Sequence, residues 1–228
     1  MGSEARFEIP VARWCAWPAS RALGDESPDV RFVDASLRRR LGPLARMMLH
    51  VARACAQGIS DLRLVFASRH GELGYTVALL RALAAGEPLS PTLFSLSVHN
   101  AAAGLLSTTR GDRAESTAIA AGEETLGYAL LEGHCQFAAA PQRPVLMVYG
   151  DAALPEEYRV GGGQQPDDAA AAVAVLLASD APRRSSVSRR AAGETRASPR
   201  SQAEAFIRHL NEGVPAHWVG ATSTWSWS

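Results

Sequence analysis

The chain contains no lysine: every one of the 23 basic residues among its 228 is arginine. Chemistry that needs a lysine amine, such as a Schiff base or the lysine of a phosphate-binding loop, is therefore excluded. Cysteine is scarce as well. Cys15, Cys55 and Cys135 are far apart and odd in number, which rules out a closed disulfide framework or a paired-cysteine zinc site. That usage fits a reducing compartment, and the cytoplasm is the expected one. Net charge is also missing, with 23 basic against 23 acidic residues, so a nucleic-acid binder working by broad phosphate neutralisation is not expected. The longest apolar stretches, near 169–178 and 145–149, are too short to span a bilayer. Glu4, Arg6 and Glu8 open the chain without a basic region and apolar run, unlike a signal peptide, so the protein is expected to stay where it is made.

What is present is a hydrophobic fraction of 47%, enough to fill a sizeable core. Residues 7–11 read as a short strand, followed by Trp14 and Trp17 in a loop punctuated by Pro18, Gly24 and Pro28. Leu37, Leu41, Leu44, Met48, Val51 and Cys55 have amphipathic-helix spacing and predict a helix over 37–57 capped by Gly58. Arg38, Arg39, Arg40 and Arg46 fall on its polar side or its start, either as a solvated face or as a dock for an acidic partner. A strand at 62–67 and a helix at 72–85 ended by Gly86 form a strand–loop–helix unit. Residues 92–98 read as extended, 100–107 as a helix with small residues, 116–121 as a strand, 123–132 as a helix and 144–149 as a strand. This alternation predicts an α/β protein.

Residues 167–178 predict a helical or irregular start passing into a strand, because an alanine run precedes alternating Val173, Val175 and Leu177. The composition then changes. Arg, Ser, Ala and Pro dominate 180–201, which reads as a flexible linker between a domain over 1–179 and a C-terminal segment over 202–228. That segment predicts a short helix at 202–210 and a tail bearing Trp218, Trp225 and Trp227, docked on the domain or on a partner.

The pentapeptide Ser68-Arg69-His70-Gly71-Glu72 puts a hydroxyl, an imidazole and a carboxylate at a strand-to-helix turn, where α/β proteins carry functional loops. Ser68 is not set in a Gly-x-Ser-x-Gly elbow, and catalytic triads come from separate parts of a chain, so loop capping is the stronger reading. His50, His70, His99, His134, Cys55 and Cys135 show no spacing that would aim a pair at one ion, and no metal is expected. Gly161-Gly162-Gly163 runs into Gln164, Gln165 and Pro166 rather than into a phosphate-binding helix, and reads as a flexible turn. No cofactor is expected.

A further segment carries a pattern. Ser90-Pro91 is followed by Ser97-Val98-His99-Asn100-Ala101-Ala102-Ala103-Gly104, and then by Thr117-Ala118-Ile119-Ala120-Ala121-Gly122. It resembles the N-terminal half of β-ketoacyl synthases, most closely the short synthase-like proteins that partner ketosynthases in aryl-polyene and related type II polyketide pathways. In ketosynthases a Ser-Pro and an Asn-x-x-x-Gly precede a Thr-Ala-Cys-x-x-Gly motif at this distance. Here Asn100 and Gly104 match the first motif, and Thr117, Ala118 and Gly122 match the second, with Ile119 in place of the nucleophilic cysteine. Ser68, His70 and Glu72 stand where the synthases have a Gly-rich turn. The resemblance covers 7–178 and the tryptophan-rich end.

The resemblance implies half of a thiolase-like fold, with a mixed sheet and flanking helices. A thiolate takes up the acyl chain in a ketosynthase, and an isoleucine has no lone pair or acidic proton with which to replace it. The two histidines of the synthases' second half are also unmatched, so a non-catalytic partner is implied. Such a chain-length factor would pair with an active, full-length β-ketoacyl synthase in acyl-carrier-dependent polyene, polyketide or fatty-acid-type elongation. Ala118, Ile119, Ala120 and Gly122 would then sit at the tunnel, with Ser68, His70, Glu72, His99, Asn100 and Gly104 on adjoining loops. A lone half of a thiolase fold is also expected to leave an apolar face uncovered, which favours a partner. Two other readings compete: a malonyl-carrier decarboxylase or hydrolase using His70, Glu72 or His99, and a scaffold binding acyl carrier protein through Arg38, Arg39 and Arg40.

Overall fold

The structure is a computed structural model describing residues 4–18, 27–158, 170–193, 198 and 201–228. The turn expected at Gly161–Gly163, Gly24 in the first loop and the start of the 167–178 segment lie outside the described residues. In chain order the elements are β1 (Ala5–Trp17), α1 (Ala35–Arg38), α2 (Pro43–Ala56), β2 (Arg63–Ala67), α3 (Leu73–Ala84), α4 (Pro91–Ser97), α5 (Ala101–Arg110) and β3 (Ser116–Ile119). There follow a 3-10 turn (Gly122–Glu124), α6 (Thr125–Ala139), β4 (Val145–Asp151), a second 3-10 turn (Glu156–Tyr158), β5 (Ala171–Leu177), β6 (Arg183–Ala191), α7 (Gln202–Glu212), β7 (Ala216–Val219) and β8 (Ser223–Trp227).

Buried strands with near-continuous apolar sequence need cover on both faces. β2, β4 and β5 have that character, and their alternate residues feed two separate cores. Leu64, Phe66, Leu146, Val148, Ala174 and Leu176 pack under α2 and α5. Val65, Ala67, Val145, Met147, Val173, Val175 and Leu177 pack under α6 and α7. The result is a three-layer α/β/α arrangement around one eight-stranded sheet of order β3-β2-β4-β5-β1-β6-β8-β7. β2 pairs in parallel with β3 and with β4, and the remaining pairs are antiparallel, so the sheet is mixed as expected.

Several expectations are corrected. The segment read as a linker contains β6, which lies between β1 and β8. Its polar composition hides a strand whose inward residues, Ser185 and Val187, are both fully buried. The tail does not hang from a linker either: β7 and β8 continue the same sheet, and Trp225 and Trp227 are fully buried in it. The sheet therefore crosses the boundary expected at residue 179. Trp14 and Trp17, expected in a loop, belong to a β1 of 13 residues. The helix expected over 37–57 is two, because Gly42-Pro43 starts α2 afresh with proline in its first turn. Residues 92–98 are not extended. Ser90 Oγ accepts from the Leu93 amide at 3.3 Å and Pro91 opens α4, so local capping overrides the apparent alternation.

Arginine forks close the exposed carbonyl ends of helices, a role for which their planar donors suit them. Arg13 donates to the Gln57 carbonyl at 2.7 Å and Arg110 to the Ala56 carbonyl at 3.1 Å, both at the end of α2. The buried Arg63 donates to the carbonyls of Gln136 and Ala140 at the end of α6, at 2.7 and 2.8 Å. Among the described residues, five of the seven large apolar side chains left exposed belong to the α3–α4 hairpin: Leu80, Leu83, Leu89, Phe94 and Val98.

Because α7 and the C-terminal strands share one core with β1 and β5, Phe206→Ala is expected to cost about 3–5 kcal/mol. Urea unfolding followed by tryptophan fluorescence and by circular dichroism should still show one transition. Two separated transitions would mark the C-terminal segment as an independent appendage.

Candidate functional site

Parallel strands deliver their carboxyl ends to one edge, where α/β folds place functional groups. Here β3, β2 and β4 end side by side. Ala67 pairs with Ile119 and with Tyr149, and the Ser68 amide donates to the Ile119 carbonyl at 3.2 Å. Asp151, at the end of β4, organises the turn after β2: its Oδ1 accepts from Ser68 Oγ and from the Arg69 amide, each at 2.8 Å. Tyr149 donates its hydroxyl to Asp151 Oδ2 at 2.6 Å. Ser68 Oγ in turn accepts from the Gly71 amide at 2.9 Å. His99 Nε2 donates to the Ser68 carbonyl at 2.8 Å, tying the α4–α5 connection to the same turn. Gly71 has a positive φ of 59°, and a Cβ there would stand 3.3 Å from the His99 ring.

The structure thus brings Ser68, His99 and Ile119 together. It also shows two residues the sequence reading missed, Asp151 and Tyr149, whose only signal is their position at the end of a buried strand. Glu72 has a different partner: its Oε1 accepts from the Ala45 amide at 2.8 Å and caps α2, which lacks a side-chain cap of its own. Burial raises the Glu72 carboxyl, with the Ala45 hydrogen bond opposing the rise. His70 is exposed, and partial desolvation and the neighbouring Arg69 lower its imidazole below the ordinary value. Asn100 stands at the N-cap of α5 without capping it through its side chain, and Gly104 lies exposed within that helix.

Ile119 is half-buried and packs against the core beneath α6, while Ala118, Ala120 and Gly122 are exposed. A positive φ of 58° at Gly122 turns the chain into the 3-10 turn. Thr125 Oγ accepts from the Ala121 amide at 2.9 Å and donates to the Gly122 carbonyl at 2.7 Å, fixing the loop to the first turn of α6. One residue earlier, Glu124 is buried. Its Oε2 accepts from Arg189 Nε at 3.0 Å and from Trp225 Nε1 at 2.9 Å, and its Oε1 accepts from the Thr222 hydroxyl. Burial would push this carboxyl up, but the hydrogen bonds from Thr222, Trp225 and Arg189 outweigh it and hold the value at about 2. Among the described residues, no three His, Cys, Asp or Glu side chains gather as a metal site, and no helix is long and apolar enough to cross a membrane.

A family model described as the N-terminal domain of β-ketoacyl synthase matches residues 13–228. Comparison with curated proteins gives no match. Among solved structures, the chain is similar to one chain of the ketosynthase ApeO in complex with its chain length factor ApeC from Xenorhabdus doucetiae. The identity is 24% and the TM-score 0.83, over 97% of this chain and 99% of that one. It is similar also to the ishigamide ketosynthase/chain length factor, at 13% identity and a TM-score of 0.52, over 67% of this chain and 49% of that one. A β-ketoacyl synthase from Burkholderia phymatum STM815 gives 12% identity and a TM-score of 0.52, over 68% and 46%. The chain therefore spans the first of these in full and about half the length of the other two, and the fold is the thiolase-like fold of ketosynthases.

Glu124 is expected to set the acid limb of stability. Its folded value of about 2 lies below its ordinary 4.5, so the folded state binds fewer protons between these values and stability falls as pH drops from about 4.5 toward 2. Urea midpoints measured across that window should decline steeply for the natural chain and more shallowly for Glu124→Gln. Parallel slopes would remove the carboxylate from this role.

Proposed function

The chain belongs to the β-ketoacyl synthase N-terminal domain family, and from that premise we propose that it is a non-catalytic, chain-length-factor-like subunit. It pairs with an active, full-length β-ketoacyl synthase during acyl-carrier-dependent polyene, polyketide or fatty-acid-type elongation. The observation that carries this reading is Ile119 at the carboxyl end of β3, within the motif spacing where ketosynthases carry their nucleophilic cysteine. An sp³ hydrocarbon there offers no electron pair to an acyl thioester, so no covalent intermediate forms on this residue. Packed on one side against the core beneath α6 and half-exposed on the other, this side chain instead offers a fixed apolar wall against which a growing chain can abut.

Two features of the surface support a protein partner. β3 is an edge strand, and its Ser116-Thr117-Ala118-Ile119 sequence carries none of the charges or prolines that usually protect an edge from pairing. The α3–α4 hairpin exposes five large apolar side chains, and residues 88–109 contain no formally charged residue, the composition of an interface core. The solved structures most relevant to this reading are those whose chains are described as ketosynthase with chain length factor. Two of the three acid–base groups of the enzyme reading are otherwise engaged, since Glu72 caps α2 and His99 holds the Ser68 carbonyl, while His70 is exposed.

Native mass spectrometry of this chain co-expressed with an active β-ketoacyl synthase should show a one-to-one complex. Elongation should require both chains. Ile119→Ala and Ile119→Phe should move the product length in opposite directions, and Ile119→Cys should leave the isolated chain inactive. Products unchanged across the series, or turnover of a malonyl-carrier substrate by this chain alone, would overturn the proposal.

A further inference from the structure

The C-terminal strands do more than extend the sheet, because their polar side chains converge on one short stretch of backbone. Arg189 of β6, Thr222 in the turn before β8 and Trp225 of β8 all donate to the Glu124 carboxylate. Gln202, at the start of α7, accepts from the Gly127 amide at 2.8 Å and so satisfies an otherwise unpaired N–H in the first turn of α6. Trp225 lies flat against that turn: a Cβ on Gly127 would fall 2.5 Å from its Cε2. Tyr128 meets the same indole edge-on at 5.6 Å, and the Arg189 guanidinium stands 5.7 Å over the Tyr128 ring. Residues separated by 65 to 101 positions along the chain thus grip a stretch that begins two residues after Gly122.

Burying a carboxylate is unfavourable unless its oxygens are fully used, and an apolar side chain would fill the same volume at lower cost. What the carboxylate adds is direction, since three donors on three different segments fix its position. From Glu124 the constraint passes to Thr125, whose hydroxyl bridges the Ala121 amide and the Gly122 carbonyl. It then reaches the Ile119 carbonyl, which is held by the Ser68 amide. Resting on the function proposed above, we infer that Glu124 is a positioning residue through which the C-terminal hairpin sets the conformation of the Ile119–Gly122 loop, and with it the product length. It touches no substrate and acts through the loop.

Hydrogen exchange on the full chain tests the first half of this inference without any ketosynthase. Glu124→Gln removes the charge at nearly constant volume, and Trp225→Phe removes one donor while retaining a ring. Each should speed exchange in the 119–125 segment about tenfold, while β4 and β5 amides keep their rates. Unchanged exchange, or a uniform acceleration through β4 and β5, overturns the inference, the latter because it reports general destabilisation. The second half uses the same variants in one-to-one complexes with the active synthase. A shifted or broadened product length with the complex intact supports the inference. An unaltered pattern in complexes where Ile119→Ala does shift it overturns the inference. If Ile119→Ala also leaves the products unchanged, the proposed function fails, and the exchange result alone decides whether Glu124 holds the loop.

Discussion

Two-sided burial of β4 and β5 is the constraint on which the remaining structure depends. Their side chains alternate between two cores without a polar residue from Val145 to Met147 or from Ala171 to Leu177, so helices must cover both faces. α2 and α5 cover one, and α6 and α7 the other. Once the layers are set, the parallel strands β3, β2 and β4 must end at the same edge, and the turns that follow them are forced into contact. The site is thus a consequence of how the sheet is buried, with Asp151 distributing hydrogen bonds among turns that the fold has already juxtaposed.

The same burial explains the C-terminal region. β1 is an interior strand, and its outer side needs a partner to satisfy its backbone groups. β6 supplies it, and β8 and β7 continue the sheet until Trp225, Trp227 and Phe206 complete the core beneath α6 and α7. In the solved ketosynthase structures about twice as long, only part of the chain corresponds to this one. Here the polar grip on Glu124 links the closing strands to the loop carrying Ile119. In the proposed role, Ile119 stands where a ketosynthase carries its thiol, and a clasp on the turn that follows is compatible with an apolar wall in its place.

The strand–helix alternation through β2, α3, α5, β3, α6 and β4 was legible in the sequence because each apolar run has its own period and its own turn signals. Ile119 stood out because Thr117, Ala118 and Gly122 keep the motif spacing around it, whereas its place beside the Ser68 turn came only with the sheet. β6 was hidden, since Arg183 to Ala191 carries one large apolar residue and is a strand only because β1 and β8 flank it. α4 was hidden because Ser-Pro capping and residue alternation give opposite local signals, and capping prevails. The hold of Asp151 on the Ser68 turn, the clasp on Glu124 and the capping role of Glu72 could not be read at all, because each joins residues at least 27 positions apart. Long-range hydrogen bonds leave no periodic trace.

The central claim is that elongation uses this chain without acylating it. Its most direct test is intact-mass analysis of both subunits of a reconstituted complex after brief exposure to an acyl-carrier thioester. The account predicts an acyl mass increment on the β-ketoacyl synthase and none on this chain. An acyl adduct on this chain that forms during turnover and is discharged on addition of the extender thioester would contradict it.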